Sequence, residues 1–124
     1  MPNNPLSSDA LKDAVLATTR ALSKKPELDI NFSSISTSDD DITLPPPPKI
    51  KSDLASYRGK ADSIACSKRF RNEEILVEAG DKKLNSLLNH LENVRVEVLG
   101  SKKYPGIKAN IKAKYEKSCK ESRL

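Results

Sequence analysis

Asp81-Lys82-Lys83-Leu84-Asn85-Ser86-Leu87-Leu88-Asn89-His90-Leu91-Glu92-Asn93-Val94-Arg95-Val96-Glu97-Val98-Leu99-Gly100 is the stretch that decides the fold class. Leu84, Leu87, Leu88, Leu91, Val94 and Val98 recur every three or four residues, which predicts one long helix with an apolar stripe. Gly80-Asp81 ends the preceding helical pattern, this helix follows from Asp81, and Gly100 stands where a carboxyl-terminal cap is expected. Within that helix Glu92 and Arg95 are three apart and can pair, while Glu97 projects to another side. These charges read either as a solvated face or as a link to a neighbouring helix.

Working outward, Tyr104-Pro105-Gly106 punctuates the chain, and Ile107, Ile111 and Tyr115 predict a further helix to about Ser118. On the amino-terminal side, Leu54, Tyr57, Ala61, Ile64 and Ala65 predict a helix that Ser52 can cap. A break near Phe70 to Asn72 would precede its continuation into Ile75 and Leu76. Arg58 and Asp62 lie four apart on this helix, and Gly59 between them costs roughly 1 kcal/mol against alanine. A glycine at that cost implies the close approach of another group. One network of Arg58, Asp62, Glu92 and Arg95 between these two helices is the sharper expectation; ordinary surface pairs are the plainer one.

The first half is less regular. Leu11, Ala14, Val15, Thr18 and Leu22 predict a helix over Asp9 to Lys25, capped by Ser8 or Asp9 and stopped by Pro26. Leu28, Ile30 and Phe32 then alternate with polar residues, as in a strand with one buried face, and Ile42 and Leu44 form a second short alternation able to pair with it. Ser33 to Asp41 has too little apolar surface to offset its ordering entropy and reads as a mobile loop. Pro45-Pro46-Pro47-Pro48 predicts a stiff polyproline spacer. The expected organisation is a flexible amino terminus (1–8), a helix with a strand pair (9–44), a polyproline linker (45–49), a helical region (50–118) and a basic tail (119–124). The fold class is mainly α, with about four helices and a short β-strand pair after the first.

Composition sets bounds on this domain. The 124 residues are 36% hydrophobic and 4% aromatic with eight prolines, so the compact unit should comprise about 70 to 90 residues and be marginally stable. A partner covering an apolar face fits such a domain. No apolar run is long enough to span a membrane and Met1-Pro2-Asn3-Asn4-Pro5 lacks the regions of a signal peptide, so a cytoplasmic protein is expected. Cys66 and Cys119 have no paired spacing and His90 is the lone histidine, which argues against a disulfide framework or a metal site. Phosphate-loop and dinucleotide fingerprints are absent from the sequence.

Charge is uneven. Residues 1–50 carry five basic against seven acidic groups, residues 51–99 nine against eight, and residues 100–124 eight against two, so a net of +6 falls on the carboxyl-terminal segment. That segment favours an anionic partner. Nucleic-acid binding through Lys102, Lys103, Lys108, Lys112, Lys114, Lys117 and Lys120 is one reading, with only Tyr104 and Tyr115 available for stacking, and a solvated helix face accounts for the lysines about as well.

Several segments resemble, in order, the amino-terminal region of the CobT family, a subunit of the aerobic cobaltochelatase. They are Ala14 to Arg20 with Pro26-Glu27-Leu28-Asp29-Ile30-Asn31-Phe32, then Leu44-Pro45-Pro46, Arg58-Gly59-Lys60-Ala61-Asp62, Glu92-Asn93-Val94-Arg95-Val96-Glu97-Val98-Leu99-Gly100, and Gly106-Ile107-Lys108-Ala109-Asn110-Ile111. The resemblance implies a non-catalytic assembly module for cobalt insertion in cobalamin biosynthesis. It implies as partners an AAA+ ATPase subunit and a large chelatase subunit, and it leaves ATP, magnesium and cobalt to those partners. The residues it singles out are Arg58, Gly59, Asp62, Glu92, Arg95, Glu97, Gly100, Gly106 and Asn110. Where the family carries a Cys-His-Asp-like run, this chain has Ser67-Lys68-Arg69-Phe70-Arg71-Asn72, so no histidine role transfers. The acidic segment and von Willebrand A-like domain of the family lie outside the chain, and that acidic segment implies a third reading of the basic helix, docking on an acidic stretch of a partner.

Overall fold

A computed structural model of the chain describes residues 7–33, 35, 42–72 and 81–122. Four helices, α1 (Ser8–Ser23), α2 (Leu54–Phe70), α3 (Lys82–Lys103) and α4 (Pro105–Ser122), accompany two short strands, β1 (Asn31–Phe32) and β2 (Thr43–Leu44). The strands pair in parallel, Asn31 beside Thr43 and Phe32 beside Leu44. The fold is mainly α with a strand pair after the first helix.

Helix α1 is capped one residue earlier than expected, because the Ser7 hydroxyl accepts from the Ala10 amide at 3.1 Å. Its end precedes Pro26. Lys24 adopts a left-handed conformation, φ 57°, and returns its amide to the helix carbonyls, so the helix has closed before proline could break it. The Arg20 Nε donates to the Leu28 carbonyl at 2.6 Å and ties this helix to the following extended segment. Leu28, Ile30 and Leu44 are thereby buried against Val15, Tyr57 and Ala61 in one apolar cluster.

Helix α2 is the centre, packing on α1, α3 and α4. Its buried face is small: Gly59, Ala61, Ala65 and Cys66 keep its surface low and let three helices come close. Ser52 does not cap it. Residues Lys51–Asp53 form a 3₁₀ turn that runs directly into the helix, and no side chain caps the start. The polyproline segment is anchored to this helix as well, since the Tyr57 hydroxyl donates to the Pro45 carbonyl at 2.6 Å.

Helices α3 and α4 are joined by Tyr104 alone, with Pro105 at the first position of α4, where its missing N–H is no loss. Gly100 is not a cap, for α3 continues to Lys103 and ends on Tyr104. Val96, Ile107, Ile111 and Cys66 form a second apolar cluster where α2, α3 and α4 meet. Helix α4 runs to Ser122, so the expected basic tail is helical through that residue. The expected flexible terminus up to Leu6, most of the expected mobile loop, the continuation through Ile75 and Leu76, and Arg123 and Leu124 lie outside the described residues.

The expected stripe on α3 faces the wrong way for a core. Leu84, Leu87, Leu91, Val94 and Val98 are exposed, whereas Glu92, Val96, Glu97 and Gly100 are buried. The inward face is selected by groups that find partners on α2 and α4, as follows.

Candidate functional site

Three polar clamps hold α2, α3 and α4 together. The first joins α2 to α4. Asn110 Nδ2 donates to Asp62 Oδ2 at 2.8 Å, and a methyl group added at Gly59 would come within 2.8 Å of the Asn110 carbonyl carbon and 2.9 Å of Lys114 Cβ. Gly59 is therefore the point where the two backbones touch, which answers the cost of glycine within a helix. Burial raises the Asp62 carboxyl above its usual range, partly offset by the Asn110 hydrogen bond and the Arg58 charge.

The second clamp joins all three helices. Glu97, on α3, accepts from Tyr115 Oη at 2.8 Å and Ser63 Oγ at 3.2 Å, and its carboxylate lies 3.3 Å from Lys114 Nζ. Lys114 also donates to Ser63 Oγ at 2.9 Å. Ser63 thus stands between Lys114 and Glu97, hydrogen-bonded to both. Burial, with the Glu97 bond, pushes the Tyr115 hydroxyl up to about 12.

The third clamp fastens the carboxyl end of α2. Glu92 accepts from Arg95 Nε at 2.9 Å and from the Asn72 amide at 3.0 Å, while Arg95 Nη2 donates to the Phe70 carbonyl at 2.8 Å. The pair thus serves an orphan carbonyl at a helix end. Hydrogen bonds from Arg95 and then from Asn72 pull the Glu92 carboxyl down to about 2.

The expected single network is thereby divided. Asp62 turns to Asn110 on α4, Glu92 and Arg95 serve the end of α2, and Arg58 is exposed with no bond to Asp62 among the described residues. Glu92 and Glu97 are buried and partnered, so neither lies on a solvated face. Gly100 packs directly against the Cys66 sulfur, and Gly106 has open space around it. Cys66 is sealed in, its thiol pushed up to about 11 by burial. Ser63, Asn72, Lys114 and Tyr115 complete the clamps without a sequence signal of their own: Lys114 is 51 positions from Ser63, and Tyr115 is 18 from Glu97.

The outer face of α3 contrasts with these clamps. Leu87 and Leu91 are 53% and 54% exposed, and Val94 and Val98 continue the row toward α4. Surface leucines scattered singly need no explanation, but five apolar residues in one helical row form a patch. Among the described residues, no helix is long and apolar enough to cross a membrane, and no group of three His, Cys, Asp or Glu side chains is placed to hold a metal ion.

A family model described as cobalamin biosynthesis protein CobT matches residues 6–124. No curated protein and no solved structure matches the chain.

Proposed function

The chain belongs to the CobT family of cobalamin biosynthesis proteins, and from that membership we propose that it is a non-catalytic contact subunit in the ATP-dependent insertion of cobalt into the corrin ring. Its partners in this reading are the AAA+ ATPase subunit and the large chelatase subunit, which supply nucleotide hydrolysis and hold the corrin. Cobalt is cargo, and ATP and magnesium belong to the ATPase.

One observation carries the reading: the apolar row Leu84, Leu87, Leu91, Val94 and Val98 lies outward on α3, while the two carboxylates of that helix, Glu92 and Glu97, are turned inward and held in clamps. Apolar area left in water is worth about 25 cal/mol per Å² when another surface covers it. Such a row suits a subunit whose work is contact. With the chain as bait, the ATPase and large chelatase subunits should be retained together, and adding the chain to those two should raise the rate of cobalt insertion. Retention of neither subunit, or ATP turnover by the purified chain alone, would overturn the proposal.

A further inference from the structure

The outward row does not end in open surface. At its carboxyl-terminal end it meets α4 and forms one wall of a groove of about 580 Å³. Val94 and Val98, one helical turn apart on α3, face Ile111 and Tyr115, one turn apart on α4, across the floor. Lys102, Lys108 and Lys112 stand around it. Lys102 and Lys108 have no acidic partner among the described residues, and Lys112 reaches only the exposed Glu116, at 4.0 Å.

The charge of this rim follows from the clamps. Glu92 and Glu97 are the only carboxylates within α3, and both are turned inward and occupied. Glu97 also lines the groove, but its carboxylate is taken up by Lys114 and Tyr115, and Glu92 is paired with the part-exposed Arg95, which leaves Lys102 and Lys108 at the mouth without a carboxylate partner among the described residues. An apolar floor with a cationic rim selects among occupants. A polyanion such as RNA matches the rim and leaves the floor uncovered, because the groove offers one half-exposed aromatic ring for stacking. A second copy of this chain would bring its own lysines against these and be repelled. Two apolar rows one turn long suit a helix presenting anchors at i, i+3 or i+4, and i+7.

We propose that the α3–α4 groove is the seat of an amphipathic, acid-flanked helix from a partner polypeptide, whose apolar face covers Val94, Val98, Ile111 and Tyr115 and whose carboxylates meet Lys102 and Lys108. The proposal rests on the reading of the chain as a contact module and locates that contact.

The test uses a synthetic helical peptide of about 20 residues, long enough to hold its shape, with leucines on one face and glutamates on its flanks. A scrambled peptide of identical composition is the control. Titrated into the isotopically labelled chain, the amphipathic peptide should shift the methyl signals of Val94, Val98 and Ile111. Affinity should fall as salt rises, and by about tenfold in the surface double variant Lys102→Glu/Lys108→Glu. Val98→Glu, also at an exposed position, should abolish the shifts while leaving the melting curve unchanged. Equal binding of the scrambled peptide, shifts centred away from the groove, or no shift at all would overturn the proposal. So would competition for these residues by oligouridine, or a dimer that Val98→Glu disperses. Failure here with the chelatase subunits still retained removes the groove alone; loss of those subunits with the peptide still seated removes the chelatase assignment alone.

Discussion

The seam between α2 and α4 and the outer face of α3 use opposite materials. At the seam, Gly59 presents no side chain to α4, and the polar groups Asp62, Ser63, Asn110 and Lys114 are buried or half-buried with partners. On the outer face the side chains are leucine and valine, and they stand in solvent. A ranking by hydrophobicity would exchange the two. The inward face of α3 was decided by whether its polar groups could be satisfied by another helix, which left its leucine and valine row outside.

That comparison is broken most severely by changes at the seam. Gly59→Ala should destabilise the chain by about 1–3 kcal/mol, since the added methyl group meets backbone that cannot swing aside, whereas Gly106→Ala, with nothing near it, should be neutral or slightly stabilising. Paired chemical-denaturation curves would check both. If the two variants were equally stable, the seam would not be the closest contact.

Comparable in size is Lys114→Met, which leaves Glu97 buried with its cationic partner gone. A loss of about 2–3 kcal/mol is expected, below the full value for a buried pair because Lys114 is one-fifth exposed. Glu97→Gln in the same chain should recover part of that loss in a double-mutant cycle, and strict additivity would show that the two side chains are not coupled.

Acid separates two carboxylates of the interior. Glu92 is held at about 2, below its ordinary 4.5, so the folded state binds that proton less readily than the unfolded one. Its contribution is present above 4.5 and is lost as pH falls toward 2. Asp62 has the opposite sign: raised by burial, it favours the folded state below its ordinary 3.8 and loses that contribution as pH rises through its elevated value. Thermal midpoints measured between pH 5 and 2 should fall less steeply in Glu92→Gln than in the parent, and more steeply in Asp62→Asn. A common slope for all three chains would remove the assignment.

The smallest effects belong to the outer face. Leu87→Ser and Leu91→Ser should change stability by no more than about 0.5 kcal/mol, because each side chain is already half in water. The same substitutions should weaken retention of the chelatase subunits. A stability loss of several kcal/mol would mean that the row is core after all.

How much of this was legible beforehand differs along the chain. The helices, the existence of a strand pair after the first of them (its parallel sense excepted) and the special packing at Gly59 follow from local periodicity and from the cost of glycine within a helix. Gly100 misled because a glycine near a helix end reads as a cap; only the position of Cys66 shows that it is a close approach. The leucine row misled for a related reason. Periodicity reports which residues share a face, and it is silent on whether that face turns in or out.

Alone, the amino-acid order determined where the chain is helical, because 3.6-residue spacing, proline and capping groups act within a few positions of one another. It also placed the excess positive charge at the carboxyl end. Which face of α3 is interior, and that Asp62 answers Asn110 and Glu97 answers Ser63, Lys114 and Tyr115, was decided by tertiary structure. A buried polar group is stable only with a partner, and these partners lie tens of positions apart, brought together when three helices pack.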